Sequence, residues 1–357
     1  MKAVILAGGE GTRLRPLTLS TPKPVVPVVD RPFLCHQLDL LTRAGVREVV
    51  FSLAYRPERV EACFGDGRDY GVRIVYLVEQ TPLGTGGAVR NALPLLDERT
   101  IVLNGDVLTD VDLGKVVADH AAAGARATIL LTPVPNPAAY GLVETEPGGR
   151  VRRFVEKPRP EQVTTNTINA GVYVLETSVI DLMPPAVNHS IERGFFPALL
   201  ARGDLVLGPV HPGYWIDIGT PDKYLQVHRD ILARRFEVAL NGAPRAAGFV
   251  HAGARGHDGA RLEGAFYAGP GCVVEDGARL GPDAVLVADV RVRAGASVRD
   301  SVVWAGVDVP AGCEIESSLL GSGVRLGRSC VVRQVVLGEG SAISEHSRPL
   351  QPSAGKP

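Results

Sequence analysis

The chain has 357 residues, 45% of them hydrophobic and 22% charged, with a formal net charge of -1. That length predicts two domains with ample core, and the balanced charge excludes a disordered chain, an acidic tail and a basic nucleic-acid binder. With 41 glycines and 27 prolines the chain is rich in turns, so many short elements are expected.

The opening run Val4-Ile5-Leu6-Ala7 breaks at Gly8-Gly9, too early for a signal sequence, and no stretch approaches the ~20 apolar residues of a membrane span. A cytoplasmic protein with no membrane partner is expected. The five cysteines, 35, 63, 272, 313 and 330, are scattered and never form a CxxC, so they read as buried thiols. Only six lysines stand against 32 arginines, which singles out the positions that keep a lysine.

Along the chain, β-favouring runs recur at 2–6, 46–54, 72–78, 100–104, 128–134, 169–175 and 204–210. Helical patterns lie between several of them: Leu34, Leu38 and Leu41 at i, i+4, i+7; the Pro57-Glu58-Arg59-Val60 start; and 86–96. Strands alternating with helices predict an α/β domain with a mostly parallel, Rossmann-like sheet. Ligands of such sheets sit beyond the carboxyl ends of strands, which points to the loop after 2–6 and to Asn104-Gly105-Asp106. The Pro-started, Arg-rich segment 221–245 is expected to hold a last helix and a linker.

From about residue 250 the periodicity changes. Aliphatic residues fall at Val274, Leu280, Leu286, Val292, Val298, Val303, Val309, Ile315, Leu320, Leu326, Val332, Leu337 and Ile343, in steps of six with an occasional five. Leu286, Val303, Leu320 and Leu337 thereby share one position in successive 17-residue coils, with Gly281, Gly321, Gly327 and Gly338 following the aliphatic residue. This is the hexapeptide repeat of a parallel β-helix. Its flat faces and open last coil are expected to serve assembly into a homo-oligomer, with no catalytic residue. His251, His257 and His346 are the only histidines near or within it, too few to suggest an acyl-transfer site. The expected boundaries are a catalytic domain over 1–235, a linker over 236–250, the β-helix over 251–345 and a flexible tail over 346–357.

Gly8-Gly9-Glu10-Gly11-Thr12-Arg13 follows the first strand, where glycines let backbone N–H groups approach phosphate oxygens. It is neither a Walker A loop, lacking GK[ST], nor a dinucleotide fingerprint, lacking the third glycine. The loop continues through Leu14-Arg15-Pro16-Leu17-Thr18 to Thr21-Pro22-Lys23-Pro24, where two prolines fix the backbone around a scarce lysine.

These residues resemble the opening signature, GGxGTRLxPLT then PKP, of the sugar-1-phosphate nucleotidyltransferase (NDP-sugar pyrophosphorylase) family. Further matches are Pro82-Leu83-Gly84-Thr85-Gly86-Gly87-Ala88, Leu103-Asn104-Gly105-Asp106, Tyr140-Gly141, Glu156-Lys157-Pro158, Asn169-Ala170-Gly171 and Trp215-Ile216-Asp217-Ile218-Gly219. The resemblance spans the whole chain, since many members carry a left-handed β-helix behind the catalytic domain.

It implies that a sugar 1-phosphate oxygen attacks the α-phosphorus of a nucleoside triphosphate, with pyrophosphate leaving. By the same resemblance Arg13 grips the pyrophosphate, Lys23 lies beside the triphosphate, and Lys157 holds the incoming phosphate. Leu6, Ala7, Gly8, Gly9, Gly11 and Thr12 would line the nucleotide, together with Pro82, Gly84, Thr85 and Asn104. Tyr140, Gly141, Glu156 and Asn169 would line the sugar phosphate. Asp106 and Asp217 would hold Mg²⁺, a hard cation that completes its shell with phosphate and water. Asp110 and Asp112, close behind, read as helix caps.

The base is read at Glu79, five residues before Gly84, where thymidylyl- and uridylyl-transferring relatives carry Gln. A carboxylate only accepts hydrogen bonds, which suits the adjacent N1–H and N2–H₂ of guanine; a register shifted to Gln80 would restore a pyrimidine. The expected reaction is GDP-mannose synthesis from GTP and mannose 1-phosphate. Alternatives are a glucose-1-phosphate thymidylyltransferase, a guanylyltransferase for a heptose or cyclitol 1-phosphate, and a non-catalytic regulatory paralogue. The last would have lost charges that Arg13, Lys23, Asp106, Lys157 and Asp217 still provide.

Overall fold

The computed structural model describes residues 1–256 and 258–349; His257 and positions 350–357 of the expected tail lie outside the described residues. The chain divides into two compact units, one of Met1–Glu10 with Leu34–Asp217, the other of Gly11–Phe33 with Ile218 onward. The opening signature is thus split, its glycine start in the first unit and its Arg13 and Lys23 in the second.

The first unit is built on a nine-stranded sheet. Lys2–Leu6 lies between Glu48–Leu53 and Arg99–Asn104, with Arg73–Val78 outermost, and all these pairs are parallel. The connections leave the first strand in one direction and return on its other side, so the switch point lies at the ends of Lys2–Leu6 and Arg99–Asn104. Beyond Arg99–Asn104 the sheet turns antiparallel: Thr167–Glu176 pairs with Arg99–Asn104 and Ala127–Pro133, and Gly141–Thr145 with Val151–Glu156. The short connection between the last two admits a hairpin but no crossover helix. Val4, Val50, Val102, Ile129, Tyr173 and Phe196 fill the core beneath this sheet. A short ribbon, Val107–Thr109 against Trp215–Asp217, stands apart.

Helices fall where the apolar spacing places them: Phe33–Arg43, Pro57–Phe64 and Gly84–Ala92. Leu113–Ala122 is capped by Asp112, whose Oδ1 accepts from Lys115 N at 3.0 Å. Asp110 is not a cap. Its Oδ1 lies 2.6 Å from His211 Nε2, a hydrogen-bond partner 101 residues away that local sequence could not disclose.

The second unit contains the helix Pro221–Leu232 and a left-handed β-helix of two- and three-residue strands in three parallel ladders. The pairing steps by 18 residues in the first coils, as in Phe266↔Ala284, and then by 17, as in Leu286↔Val303 and Leu320↔Leu337. The thirteen aliphatic residues of the repeat all point inward or pack against that interior. Each fully buried Val or Leu contributes roughly 1.5–3 kcal/mol, so the repeat supplies its own core. Cys272, Cys313 and Cys330 are buried there and Cys35 elsewhere, whereas Cys63 is half-buried. Burial pushes the Cys272 and Cys313 thiols up to about 11. Among the described residues no helix is long and apolar enough to cross a membrane.

Candidate active site

In the first unit the site grows from two adjoining strand ends. Leu6 and Asn104 are register partners, and Gly105 N donates to Leu6 O at 2.8 Å. A Cβ at Gly105 would sit 2.6 Å from Leu6 O, so only glycine lets the two ends close up. A Cβ at Gly9 would meet no protein atom within 4 Å, leaving open space beside the backbone after Ala7-Gly8. Gln37, buried on the Phe33–Arg43 helix, donates from Nε2 to Asn104 O and Val107 O, each at 2.8 Å. It pins the turn that carries Asp106.

Asp106 and Asp217 converge through the backbone. Val107, next to Asp106, pairs with Asp217 across the short ribbon. Asp217 is 7% exposed, and its Oδ2 accepts from Tyr140 Oη at 2.8 Å. Tyr140 meets Trp215 edge to face at 5.6 Å, and Trp215 Nε1 donates to Ala170 O at 2.9 Å. A cage of aromatic and backbone groups therefore orients the second carboxylate.

The residues expected to line the sugar phosphate gather next to it. A Cβ at Gly141 would lie 2.7 Å from Glu156 Oε2, so this glycine makes room for that carboxylate. Burial raises the Glu156 pKa, the Glu192 carboxylate raises it further, and Lys157 and Arg193 oppose them. Lys157 is exposed and takes the left-handed conformation, φ 50°, its N–H donating to Tyr140 O at 3.1 Å. A non-glycine residue held there costs roughly 1–3 kcal/mol. Asn169 Oδ1 accepts from Gly171 N at 2.9 Å, and a Cβ at Gly171 would strike Asn104 Nδ2 at 2.8 Å. The Asn169-Ala170-Gly171 turn thus lies against Asn104, whose buried Oδ1 has no partner in the protein.

The loop expected to take the base begins at the end of Arg73–Val78. Glu79 Oε1 accepts from Ser52 Oγ at 2.7 Å and Oε2 from Leu83 N at 2.9 Å, whereas Gln80 is exposed. Gly84, φ 68°, turns the chain into Gly84–Ala92, where Gly86 N and Gly87 N donate to His189 O at 2.8 and 3.2 Å. Thr85 Oγ1 accepts from Ile191 N at 3.0 Å and donates to Glu192 Oε2 at 2.8 Å.

In the second unit, Gly11 adopts φ 64°, and its carbonyl accepts from Leu14 N at 2.9 Å and Thr18 Oγ1 at 2.7 Å. Thr12 and Arg13 are exposed on the resulting turn. Lys23 is 8% exposed and starts a short 3₁₀ turn that follows Pro22. The prolines fix this lysine's backbone as the sequence implies.

Gln37, Tyr173 and Glu192 have structural roles here that no motif disclosed, whereas Trp215 belongs to the quoted Trp215-Ile216-Asp217-Ile218-Gly219 segment. Among the described residues no three His, Cys, Asp or Glu side chains could together hold a metal. The donors on offer are two carboxylates, hard oxygen ligands that suit a hard divalent cation sharing its shell with phosphate and water rather than a soft metal.

Residues 2–234 match the nucleotidyl transferase family and residues 262–348 the GMPPB C-terminal domain. A mannose-1-phosphate guanylyltransferase of Mycobacterium tuberculosis is 42% identical over 298 residues, 83% of this chain and 82% of its own. Mannose-1-phosphate guanylyltransferase 1 of Arabidopsis thaliana is 38% identical over 312 residues, 84% of this chain and 85% of its own. Among solved structures, HddC from Yersinia pseudotuberculosis complexed with GMP-PN is similar with a TM-score of 0.55 and 31% identity, over 63% of this chain and 97% of that one.

Proposed function

This chain belongs to the nucleotidyl transferase family, and from that premise we propose that it makes GDP-mannose and pyrophosphate from GTP and mannose 1-phosphate. The observation that carries the reading is the 42% identity, over four fifths of both chains, to a mannose-1-phosphate guanylyltransferase. Glu79, an acceptor-only side chain where an amide would serve a pyrimidine, supports guanine. The matches at 2–234 and 262–348 support the division into a catalytic domain over 1–235, a linker and a β-helix over 251–345.

One phosphate oxygen of the sugar phosphate forms a bond to the α-phosphorus while the bond to the bridging oxygen of the leaving pyrophosphate breaks. The nucleophile is already ionised at neutral pH, so no general base is needed. The protein's task is to hold two anions together and balance their charge. Lys157, its backbone fixed by Tyr140, would take the sugar phosphate, with Glu156 and Asn169 on the hydroxyls. Arg13 would take the leaving pyrophosphate and Lys23 the triphosphate. Asp106 and Asp217 would hold Mg²⁺, which when bound neutralises phosphate charge. A cytoplasmic homo-oligomer is part of the same proposal.

The test is pyrophosphate release from a panel of nucleoside triphosphates against mannose, glucose and heptose 1-phosphates. Preferred use of GTP with mannose 1-phosphate bears the proposal out. Preference for dTTP with glucose 1-phosphate, or no turnover with any pair, overturns it.

A further inference from the structure

Thr85 and Asn169 lie 84 positions apart in the chain, yet one half-buried relay of side chains joins them through a carboxylate that no motif contains. Glu192 Oε2 accepts from Thr85 Oγ1 at 2.8 Å and from Ser190 Oγ at 2.6 Å, while its Oε1 faces Tyr173 Oη at 3.5 Å. Tyr173 is fully buried, and its Oη accepts from Asn169 Nδ2 at 2.8 Å. We propose that Glu192 is a positioning residue that locks the base-side loop, through Thr85, to the sugar-side Asn169, and so fixes the distance between the two substrates. The proposal rests on the reading above that the loop 79–85 takes the nucleotide and Asn169 the sugar.

Three features make the lock directional. The hydroxyls of Thr85 and Ser190 each accept a backbone N–H, from Ile191 at 3.0 Å and Arg193 at 3.1 Å, so their own hydrogens are directed at Glu192. An acceptor-only carboxylate answers both, and bonds to an ionised acceptor are the stronger kind. Glu192 also sits in a one-turn π-helix, Ile191–Phe195, a rare geometry that concentrates at functional sites. Finally, the preceding residues grip the same loop. His189 N donates to Leu83 O at 2.9 Å, and Asn188 Nδ2 donates to Pro82 O at 3.0 Å. The loop therefore moves as one body with segment 188–192, and Glu192 ties that body to Tyr173 on the central strand.

Misplacing reacting groups by about 1 Å costs on the order of 100-fold in rate. Glu192→Ala should therefore lower kcat about 30- to 100-fold, while equilibrium binding of GTP alone and of mannose 1-phosphate alone changes less than about threefold. Glu192→Gln keeps one carbonyl oxygen for the two hydroxyls and should recover most of that loss. In a double-mutant cycle, Thr85→Val and Glu192→Ala should be strongly non-additive. Amide exchange at Gly86 and Gly87, measured without substrate, should quicken in Glu192→Ala. A kcat within twofold of wild type, additive effects in the cycle, or unchanged exchange would overturn the lock. If wild-type protein favours another substrate pair, the substrate reading fails, and the cycle on that pair together with the exchange measurement still decides the lock.

Discussion

In the proposed reading the choice of nucleotide turns on Glu79, and the hydrogen bonds around it make Glu79→Gln a sharp test. Its carboxylate accepts from Ser52 Oγ and from Leu83 N. A backbone N–H can only donate, so in the variant the amide oxygen must stay on Leu83 and the NH₂ must turn to Ser52, whose hydroxyl can reverse. Each oxygen of the native carboxylate has one acceptor site left, matching the two adjacent donors of guanine. The amide has only one. One guanine donor would then face an NH₂ group, and the other would lose its charge-assisted bond. Together these cost about 2–4 kcal/mol, or roughly 30- to 1000-fold in kcat/KM for GTP. The assay is steady-state pyrophosphate release with GTP and with dTTP or UTP, for which the amide offers a donor to a pyrimidine carbonyl and should improve turnover. Gln80→Ala is the register control, since Gln80 is exposed. A Gln80 variant losing more than the Glu79 variant, or a wild-type protein preferring dTTP, would refute the reasoning.

Asp217→Asn keeps an acceptor for Tyr140 and removes the charge, so kcat should fall at least about 100-fold with the melting temperature nearly unchanged, and Asp106→Asn should match it. Near-normal Mg²⁺-dependent rates in either variant would remove it from the proposed metal site. Truncation after residue 245 should lower kcat more than about tenfold, because it removes Gly338 and Glu339, which meet Pro16 and Ser20, and Trp304, which bonds the Tyr224 hydroxyl that holds Pro27 O. Pro16, Ser20 and Pro27 all lie in the segment that carries Arg13 and Lys23; a truncated protein with wild-type kcat would refute this. His228 is buried against Tyr224, its Nδ1 facing Tyr224 O at 2.6 Å, and burial lowers its pKa to about 4 from 6.5. Between those values the unfolded chain binds a proton that the folded chain refuses, so stability falls as pH falls, by about 2 kcal/mol at pH 5. Denaturant melts from pH 7 to 5 should show that slope, and His228→Gln should flatten it; equal slopes would exclude His228 as its source.

What could be read in the sequence depended on whether the cause was local. The β-helix was legible from Val274 onward, because a strand of two or three residues turns one aliphatic side chain inward on each face, and that demand recurs every five or six positions; its first coils, which step by 18 residues, were not. The parallel strands were legible for a similar reason, being apolar on both sides. Gly141–Thr145 and Val151–Glu156 were not, since Glu144, Arg152 and Arg153 interrupt the apolar pattern and pair with one another across the hairpin. The motif glycines pointed to the site, and Gly105, Gly141 and Gly171 each make room for a specific neighbour. Gln37, Tyr173 and Glu192 stayed hidden because their partners lie elsewhere in the chain and their own surroundings look like ordinary core. Asp110 misled for the same reason.

The β-helix was expected to serve assembly alone, and its contacts within the second unit give it another duty. Residues 11–33 hold only three short 3₁₀ turns and a ribbon of two-residue strands, and they rely on the rest of that unit. Tyr224 Oη, fully buried, donates to Pro27 O and accepts from Trp304 Nε1 at 3.0 Å. Asp30 Oδ2 accepts from Asn241 N at 2.8 Å, and Ser20 Oγ bonds Glu339 in the last coils. Gly338 makes the point most directly. Gly321 and Gly327 are small because the next coil's backbone passes within 2.8 and 2.4 Å of where a Cβ would lie. At Gly338 the Cβ would instead lie 3.1 Å from Pro16 Cβ and Pro16 O. A glycine that reads as one more beat of the repeat therefore answers to the signature segment, and the coil that ends the β-helix helps hold the backbone from which Arg13 and Lys23 project.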